Sequence, residues 1–152
     1  MSTTAKVVIL VAVVAIPVLA IWGVSQIRIE APTFTVSAVS LNPNEISVGD
    51  FATFTFTIKN NDAESPHSVK VVFNTTAPVT FYENNTSLAR DKDEFQYLPI
   101  TLQTSEQSTY PLRVNAKPGP GASTSTYPIG IQFYDENMTR FDTETVSLKV
   151  NQ

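Results

Sequence analysis

Apolar and polar residues alternate one by one along several stretches of the chain, and this alternation restricts the fold more than any other feature. Residues 51–59 show it best, because Phe54, Phe56 and Ile58 fall on one side and threonines on the other. Successive side chains of a strand point to opposite faces, so this period of two predicts a strand with one buried face. Four later segments repeat it, with the apolar members Val69, Val71 and Phe73; Tyr110, Leu112 and Val114; Tyr127, Ile129, Ile131 and Phe133; and Val146, Leu148 and Val150.

Further strands are expected over residues 34–41, 79–82 and 95–102, which brings the expected number to seven or eight. Turn-forming residues separate these segments at 42–44, 49–50, 60–62, 83–85 and 117–121. No segment after residue 29 has the spacing of an amphipathic helix, and no internal repeat is present. The sequence therefore predicts an all-β fold, a two-layer antiparallel β-sandwich formed by residues 29–152.

The N-terminal part has a different character, because residues 7–24 contain neither a charge nor a strongly polar side chain. Ile27 extends this apolar run, and about 20 residues of helix span a hydrocarbon core. Trp22 suits a position at the membrane interface, and Pro17 is tolerated in a helix surrounded by lipid. We therefore predict an anchor over residues 1–28, with one transmembrane helix over about residues 7–27.

Two other interpretations of this segment remain open, a signal peptide cleaved after Ala20 and a buried helix of a soluble protein. The apolar run continues past Ala20, as expected of an uncleaved anchor. Lys6 and the amino terminus precede the run and Arg28 follows it. The positive-inside rule thus gives a narrow preference for a cytoplasmic N-terminus and an extracytoplasmic C-terminal domain of a single-pass cell-membrane protein.

Composition and charge exclude several classes of function. The chain has no cysteine and one histidine, so thiolate metal sites, cysteine nucleophiles and disulfides are excluded. From Ile29 onward the chain has eight basic and fourteen acidic residues, and the basic residues form no cluster. This argues against a nucleic-acid partner. No nucleophile elbow, phosphate-binding loop or dinucleotide fingerprint occurs. We expect neither catalytic residues nor a cofactor, and the chain is interpreted as a protein without enzymatic activity.

Two acidic runs, at residues 91–94 and 135–137, have the oxygen-rich side chains that calcium loops use. Neither has the spacing of an EF-hand, and we interpret both as solvated loop charges, although weak binding stays open. His67 follows Ser65-Pro66 and has no second imidazole to act with, so we interpret it as a solvated histidine at a turn. The sequence predicts no metal site.

Asn-x-Ser/Thr sequons are the clearest functional marks in the exported part. Asn74, Asn84, Asn85 and Asn137 each begin one and are candidates for N-glycosylation. Each lies at an expected loop or strand end, where an attached glycan could reach solvent.

One part of the chain resembles a known family. Residues 39–50 contain a Pro-bearing turn and then Gly49-Asp50, and the alternating strand that follows ends in Asn60-Asn61-Asp62. This order resembles the opening of CARDB and NEW3-type immunoglobulin-like domains of archaeal and bacterial surface proteins. Residues 127–135 are similar to their penultimate strand. The resemblance implies an immunoglobulin-like sandwich that serves binding or assembly, and fold-level likeness does not fix a function.

The function expected from these features is that of a membrane-anchored, non-catalytic interaction or structural protein, from an archaeon. It would contact a surface layer, a filament or a neighbouring membrane complex through a protein partner on the extracytoplasmic side. Two alternatives stay open: an archaellum stator-type subunit, and an accessory subunit of a membrane-bound enzyme or transporter. The sequence leaves the partner's identity and the oligomeric state undetermined.

Overall fold

A computed structural model describes residues 32–75 and 78–152, and the predicted membrane segment lies outside these residues. Pro32–Gln152 forms one compact unit. Its ten strands are β1 (Phe34–Asn42), β2 (Glu45–Ser47), β3 (Ala52–Asn60), β4 (His67–Thr75), β5 (Thr80–Glu83), β6 (Thr86–Ser87), β7 (Gln96–Leu102), β8 (Gln107–Asn115), β9 (Thr124–Asp135) and β10 (Arg140–Asn151). Among the described residues, no helix is long and apolar enough to cross a bilayer.

The strands form two five-stranded sheets, which confirms the predicted β-sandwich. Sheet I has the order β1-β3-β8-β5-β6, and sheet II has the order β2-β10-β9-β4-β7. Two details of the prediction were wrong. Ten strands are present in the described residues instead of seven or eight, because β2 and β6 are only three and two residues long and directly follow the predicted turns at 42–44 and 83–85. The sandwich is also not wholly antiparallel, since β2 pairs in parallel with the end of β10.

The predicted alternation places the expected side chains in the core. Phe54, Phe56 and Ile58 of β3 are fully buried, and so are the apolar residues of β9 between Ile129 and Phe133. Five phenylalanines, Phe54, Phe56, Phe73, Phe81 and Phe133, are among the largest fully buried side chains. Phe54 lies at their centre, with ring centroids 5.8 Å from those of Phe56, Phe73 and Phe81. This aromatic cluster joins the two sheets.

Two buried amides provide hydrogen bonds inside the sandwich. Gln96 of β7 is 2% exposed; its Oε1 accepts from the Phe81 N–H at 2.8 Å, and its Nε2 donates to the carbonyls of Phe81 and Leu88 at 3.1 Å. Asn60, which is fully buried, donates to the carbonyls of Ser65 and Gln103. Buried polar groups need such partners. Gln96 thus binds sheet II to sheet I, and Asn60 fixes two loops at the end where β1 begins.

Tyr127 makes another connection, near the start of β9. Its ring is nearly buried, and its hydroxyl donates to the carbonyl of Lys117 at 2.5 Å. Lys117 lies in the long loop between β8 and β9, which the sequence predicts from its prolines and glycines. The hydrogen bond fixes this loop against the strand that follows it.

Candidate functional site

The four sequon asparagines are all exposed, as an attached glycan requires. Asn84 and Asn85 are the central residues of the two-residue turn between β5 and β6, with φ angles of 48° and 65°. Both angles are positive, as in a type I′ hairpin turn, which asparagine tolerates well. Arg113 donates to Oδ1 of Asn85 at 2.6 Å, whereas Asn84 points into solvent without a described side-chain partner. Glycosylation at this turn remains a prediction.

The other two sequons lie on separate elements. Asn74 is in β4 opposite Gly130 of β9, and Thr76 of its sequon lies outside the described residues. Asn137 is in the hairpin between β9 and β10, where its N–H donates to the Asp135 carboxylate at 2.9 Å. The structure therefore brings only Asn84 and Asn85 together, and the candidates do not converge on one site.

His67 differs from the solvated turn histidine predicted for it. It is the first residue of β4, and its imidazole lies between two carboxylates, 2.8 Å from Asp62 through Nε2 and 3.3 Å from Glu136 through Nδ1. Its ring also packs edge-on against Phe34, with centroids 5.9 Å apart. Only 20% of the side chain is exposed. His67 thus links the β3–β4 loop to the hairpin between β9 and β10.

These contacts shift two pKa values in opposite directions. Hydrogen bonding to Asp62, more than that to Glu136, raises the pKa of His67 above its ordinary 6.5 despite partial desolvation. The hydrogen bond from His67 and the N–H groups of Glu64 and Ser65 lower the pKa of Asp62 below 3.8. Both shifts favour the charged pair in the folded state.

Stability is expected to depend on pH through this pair. The contribution of His67 is complete below pH 6.5 and is lost as pH rises through its higher folded pKa. That of Asp62 is present above pH 3.8 and is lost as pH falls through its lower folded pKa. Urea unfolding of the full chain should therefore show a decline in stability above neutral pH that His67→Gln removes. An unchanged decline in His67→Gln would contradict this assignment.

The two acidic runs use their carboxylates to shape their own loops. Asp91 accepts from the N–H groups of Asp93 and Phe95 at 3.0 and 3.2 Å, and it lies 3.3 Å from Nζ of Lys70. Asp135 accepts from the N–H groups of Asn137 and Thr139. In residues 32–75 and 78–152, no three His, Asp or Glu side chains are grouped as metal ligands.

One margin of sheet II contains strand backbone without a paired neighbour. β2 covers β10 only at Lys149–Asn151, so β10 has no strand beside it over residues 143–147, which we call the open edge. The N–H of Lys149 donates to Asn44, on the β2 side. Because backbone directions alternate along a strand, the N–H and C=O groups of Thr145 and Ser147 also point away from β9. No described backbone group pairs with them there.

Residues 107–112 of β8 and 124–128 of β9 also have no paired strand on one side among the described residues, and these stretches contain Pro111 and Pro128. The three other edge strands are obstructed. The N–H of Tyr97 in β7 donates outward to Ala89, so Pro99 also faces outward and has no N–H to offer. β1 contains a bulge between Ser37 and Ser40, with Ala38 at a φ of 51°. β6 is only two residues long. Proline, bulges and short strands are the usual protection against pairing with other chains, and the open edge lacks all three.

Sequence reasoning could not identify this edge, because it depends on the order of strands in the sheet. One signal was available: Pro99 marks β7 as an edge strand. The threonine-rich run before Val146 has neither proline nor glycine, but such a run is equally compatible with a central strand. Only the strand order shows that this run lies at an edge, because β2 pairs with no more than the end of β10.

No protein-family model matches this chain, and no curated protein sequence does. Among solved structures, it is similar to a CARDB domain from Pyrococcus furiosus solved in complex with di-metal ions, with 18% identity and a TM-score of 0.48; the match covers 78% of this chain and 93% of that one. It is also similar to alpha-2-macroglobulin from Escherichia coli, with 18% identity and a TM-score of 0.49, over 77% of this chain and 16% of that one.

A third similar structure is an alkylpurine DNA glycosylase from Pseudomonas fluorescens, with 11% identity and a TM-score of 0.46 over 80% of this chain. The chain spans 31%, 7% and 16% of the first three solved chains that it matches, less than a third of each. No functional conclusion follows from these likenesses.

Proposed function

We propose that this chain is a non-catalytic, membrane-anchored interaction protein whose immunoglobulin-like domain contacts a surface layer, a filament or a neighbouring membrane complex outside the cell. The observation that carries the proposal is the open edge of β10, residues 143–147, which has no proline, whereas the edge strands β1, β6 and β7 have a bulge, a length of two residues and an outward-facing proline. An extended segment of a partner can add to such an edge through main-chain hydrogen bonds. The uninterrupted apolar run at residues 7–24 supports the membrane anchor.

Strand order supports the immunoglobulin-like part of the proposal. The usual letters of immunoglobulin strands, A, B, C, C′, E, F and G, can be assigned in chain order to β1, β3, β4, β7, β8, β9 and β10. Sheet I then contains the order A-B-E, and sheet II contains the order G-F-C-C′. The β5–β6 hairpin is then an insertion between C and C′ at the margin of sheet I. Tyr127 near the start of strand F, bonded back to Lys117, has the arrangement of a tyrosine corner.

The side chains beside the open edge indicate what kind of segment fits. Thr143, Thr145 and Ser147 are exposed on the outer face, while Val146 is half-buried toward the core. Val36, Val39 and Leu41 of β1 are also only partly buried against that core. An added strand with alternating side chains would place apolar groups over these aliphatic residues and polar groups beside the hydroxyls. We infer a partner segment with alternating apolar and polar residues.

Thr145→Pro should reduce partner capture at least tenfold while changing the free energy of unfolding by less than about 1 kcal/mol, because the N–H it removes makes no bond within the sheet. Thr101→Pro is the matched control, since Thr101 faces outward on the obstructed margin of β7. Capture is measured from native membranes with a photoreactive residue at position 143. Equal capture by the two proline variants would contradict a role of the open edge.

Topology can be tested separately, because the chain has no cysteine. A single Thr126→Cys, on an exposed position of β9, should react with a membrane-impermeant maleimide on intact cells.

The mass of the intact protein purified from membranes should show an uncleaved N-terminus with added glycan. Labelling only after lysis would contradict the extracytoplasmic location, and a stoichiometric set of polytopic enzyme subunits in the capture would favour the accessory-subunit alternative.

A further inference from the structure

A groove of about 340 Å³ lies on the outer face of sheet II, where its residue Gln132 pairs with Thr143 of the open edge. Its floor is formed by two register pairs of β4 and β9, Lys70 with Tyr134 and Val72 with Gln132. One wall is the loop at residues 91–95, and the other is Met138 from the hairpin between β9 and β10. The volume is at the lower end of the range of about 300–1,000 Å³ in which proteins bind small molecules.

The floor combines Val72 and the Tyr134 ring with the polar side chains of Lys70 and Gln132, and hydrogen bonds hold it in place. Val72 points away from the core yet is only 5% exposed, since the groove walls cover it. The Tyr134 hydroxyl donates to Oε1 of Gln132 at 2.9 Å, which fixes the amide with its Nε2 free to donate. Lys70 lies 3.3 Å from Asp91 and 4.7 Å from the ring centroid of Tyr97. The groove therefore presents an aromatic and aliphatic floor with a fixed hydrogen-bond donor.

The charges around this floor balance. Lys70 and Lys92 carry two positive charges, and Asp91 and Asp93 carry two negative charges. The heads of Lys92 and Asp93 are exposed and have no side-chain partner among the described residues. A balanced lining gives no net attraction for an ion, but it supplies donors and acceptors on the rim of this floor. A neutral ligand with one apolar face and several hydroxyl groups matches this lining.

Met138 provides an independent argument. It is the third of the four residues between β9 and β10, and its φ of 60° lies in the left-handed region that favours glycine or asparagine. A methionine at such a position strains the backbone, and its side chain is 57% exposed. Ala38, Glu94 and Ser105 share such an angle, so the exposed thioether beside the groove, and not the angle, carries this argument. The side chain of Met138 places a thioether along the wall of the groove.

We propose that this groove binds a neutral saccharide, with a pyranose ring packed on Tyr134 and Met138 and its hydroxyls bonded to Gln132, Asp93 and Lys92. The apolar C–H face of a pyranose packs against aromatic rings, while its equatorial hydroxyls both donate and accept. The site adjoins the open edge through the pair Gln132 and Thr143, but it does not depend on the function proposed for that edge. A single ring of about a dozen non-hydrogen atoms should bind with a dissociation constant on the order of 1 mM.

The test uses the isotope-labelled full chain in a detergent without a sugar head group. Methyl mannoside, methyl glucoside and N-acetylglucosamine are titrated to about 50 mM while amide NMR signals are recorded. At least one sugar should shift the Gln132 side-chain amide and the Tyr134 and Met138 backbone signals in a saturable way. Tyr134→Ala should weaken this binding at least tenfold. Tyr82→Ala, which changes a half-buried tyrosine on sheet I, should leave it unchanged.

Met138→Gly separates binding from folding. Glycine relieves the left-handed strain and keeps the Asn137 sequon, so resistance to urea should stay equal or rise while sugar binding weakens severalfold. The proposal is overturned if no probe sugar shifts the groove signals, or if the shifts persist in Tyr134→Ala. It is also overturned if a protein crosslinks to a photoreactive residue at position 132 while the sugars leave the signals unmoved.

Discussion

Phe54→Ala is expected to lower the free energy of unfolding by about 3–5 kcal/mol, the largest effect of any single substitution considered. Phe54 is fully buried, and its ring contacts three other rings contributed by both sheets. Removing it takes away the transfer free energy of the ring and leaves a cavity that the strands on either side cannot close. Urea unfolding followed by circular dichroism measures the loss.

Phe51→Ala is the matched control for that experiment. Phe51 precedes β3 and is 36% exposed, with the Arg113 guanidinium 3.7 Å from its ring centroid. Losing this surface contact should cost about 1 kcal/mol. Equal losses in the two variants would show that the aromatic cluster does not hold the two sheets together.

Gln96→Ala is expected to cost about 2–4 kcal/mol, although the residue is polar and contributes little apolar area. Its removal leaves the N–H of Phe81 and the C=O of Leu88 without this partner in the sandwich interior, while the C=O of Phe81 keeps the N–H of Leu88 at 3.0 Å. Unpaired buried groups lose their hydration without compensation. Gln107→Ala, at the exposed start of β8, is the matched control and should change stability by less than about 0.5 kcal/mol.

The same urea titration distinguishes the two variants. A loss in Gln96→Ala no greater than that in Gln107→Ala would mean that water or backbone movement replaces the missing amide. A loss in the expected range would assign Gln96 the role of connecting β7 to the opposite sheet.

The strands that could be predicted from sequence are those with one buried face. The alternation in β3 and β9 predicts both the strand and the residues that point into the core, because every second side chain of a strand with one buried face is buried. β10 was predicted only near its end, at Val146, Leu148 and Val150. Its first half carries Glu144 and Thr145 on partly exposed faces, so no apolar period marks it. β2 and β6 are too short to show any period.

The surroundings of individual polar residues could not be predicted in this way. Asn60 belongs to a run that indicates a turn, yet its side chain is buried. Glu136 reaches His67 across 69 positions of sequence, and Gln96 reaches Phe81 in the other sheet. Such contacts depend on which strands become neighbours, and nothing local in the sequence encodes that order. The groove on sheet II has the same origin, since its residues come from β4, β9 and two separate loops.

The parallel pairing of β2 with the end of β10 also determines how the domain bears mechanical force. The N–H of Val48 donates to Asn151 and the N–H of Lys149 donates to Asn44, while Glu45 accepts from the side chains of Lys149 and Asn151. Because these strands run side by side in one direction, tension that draws the two ends of the domain apart loads the bonds together, in shear. Tension applied across the hairpin between β9 and β10 opens its bonds one after another. We therefore expect the domain to resist stretching along its chain better than peeling from that hairpin.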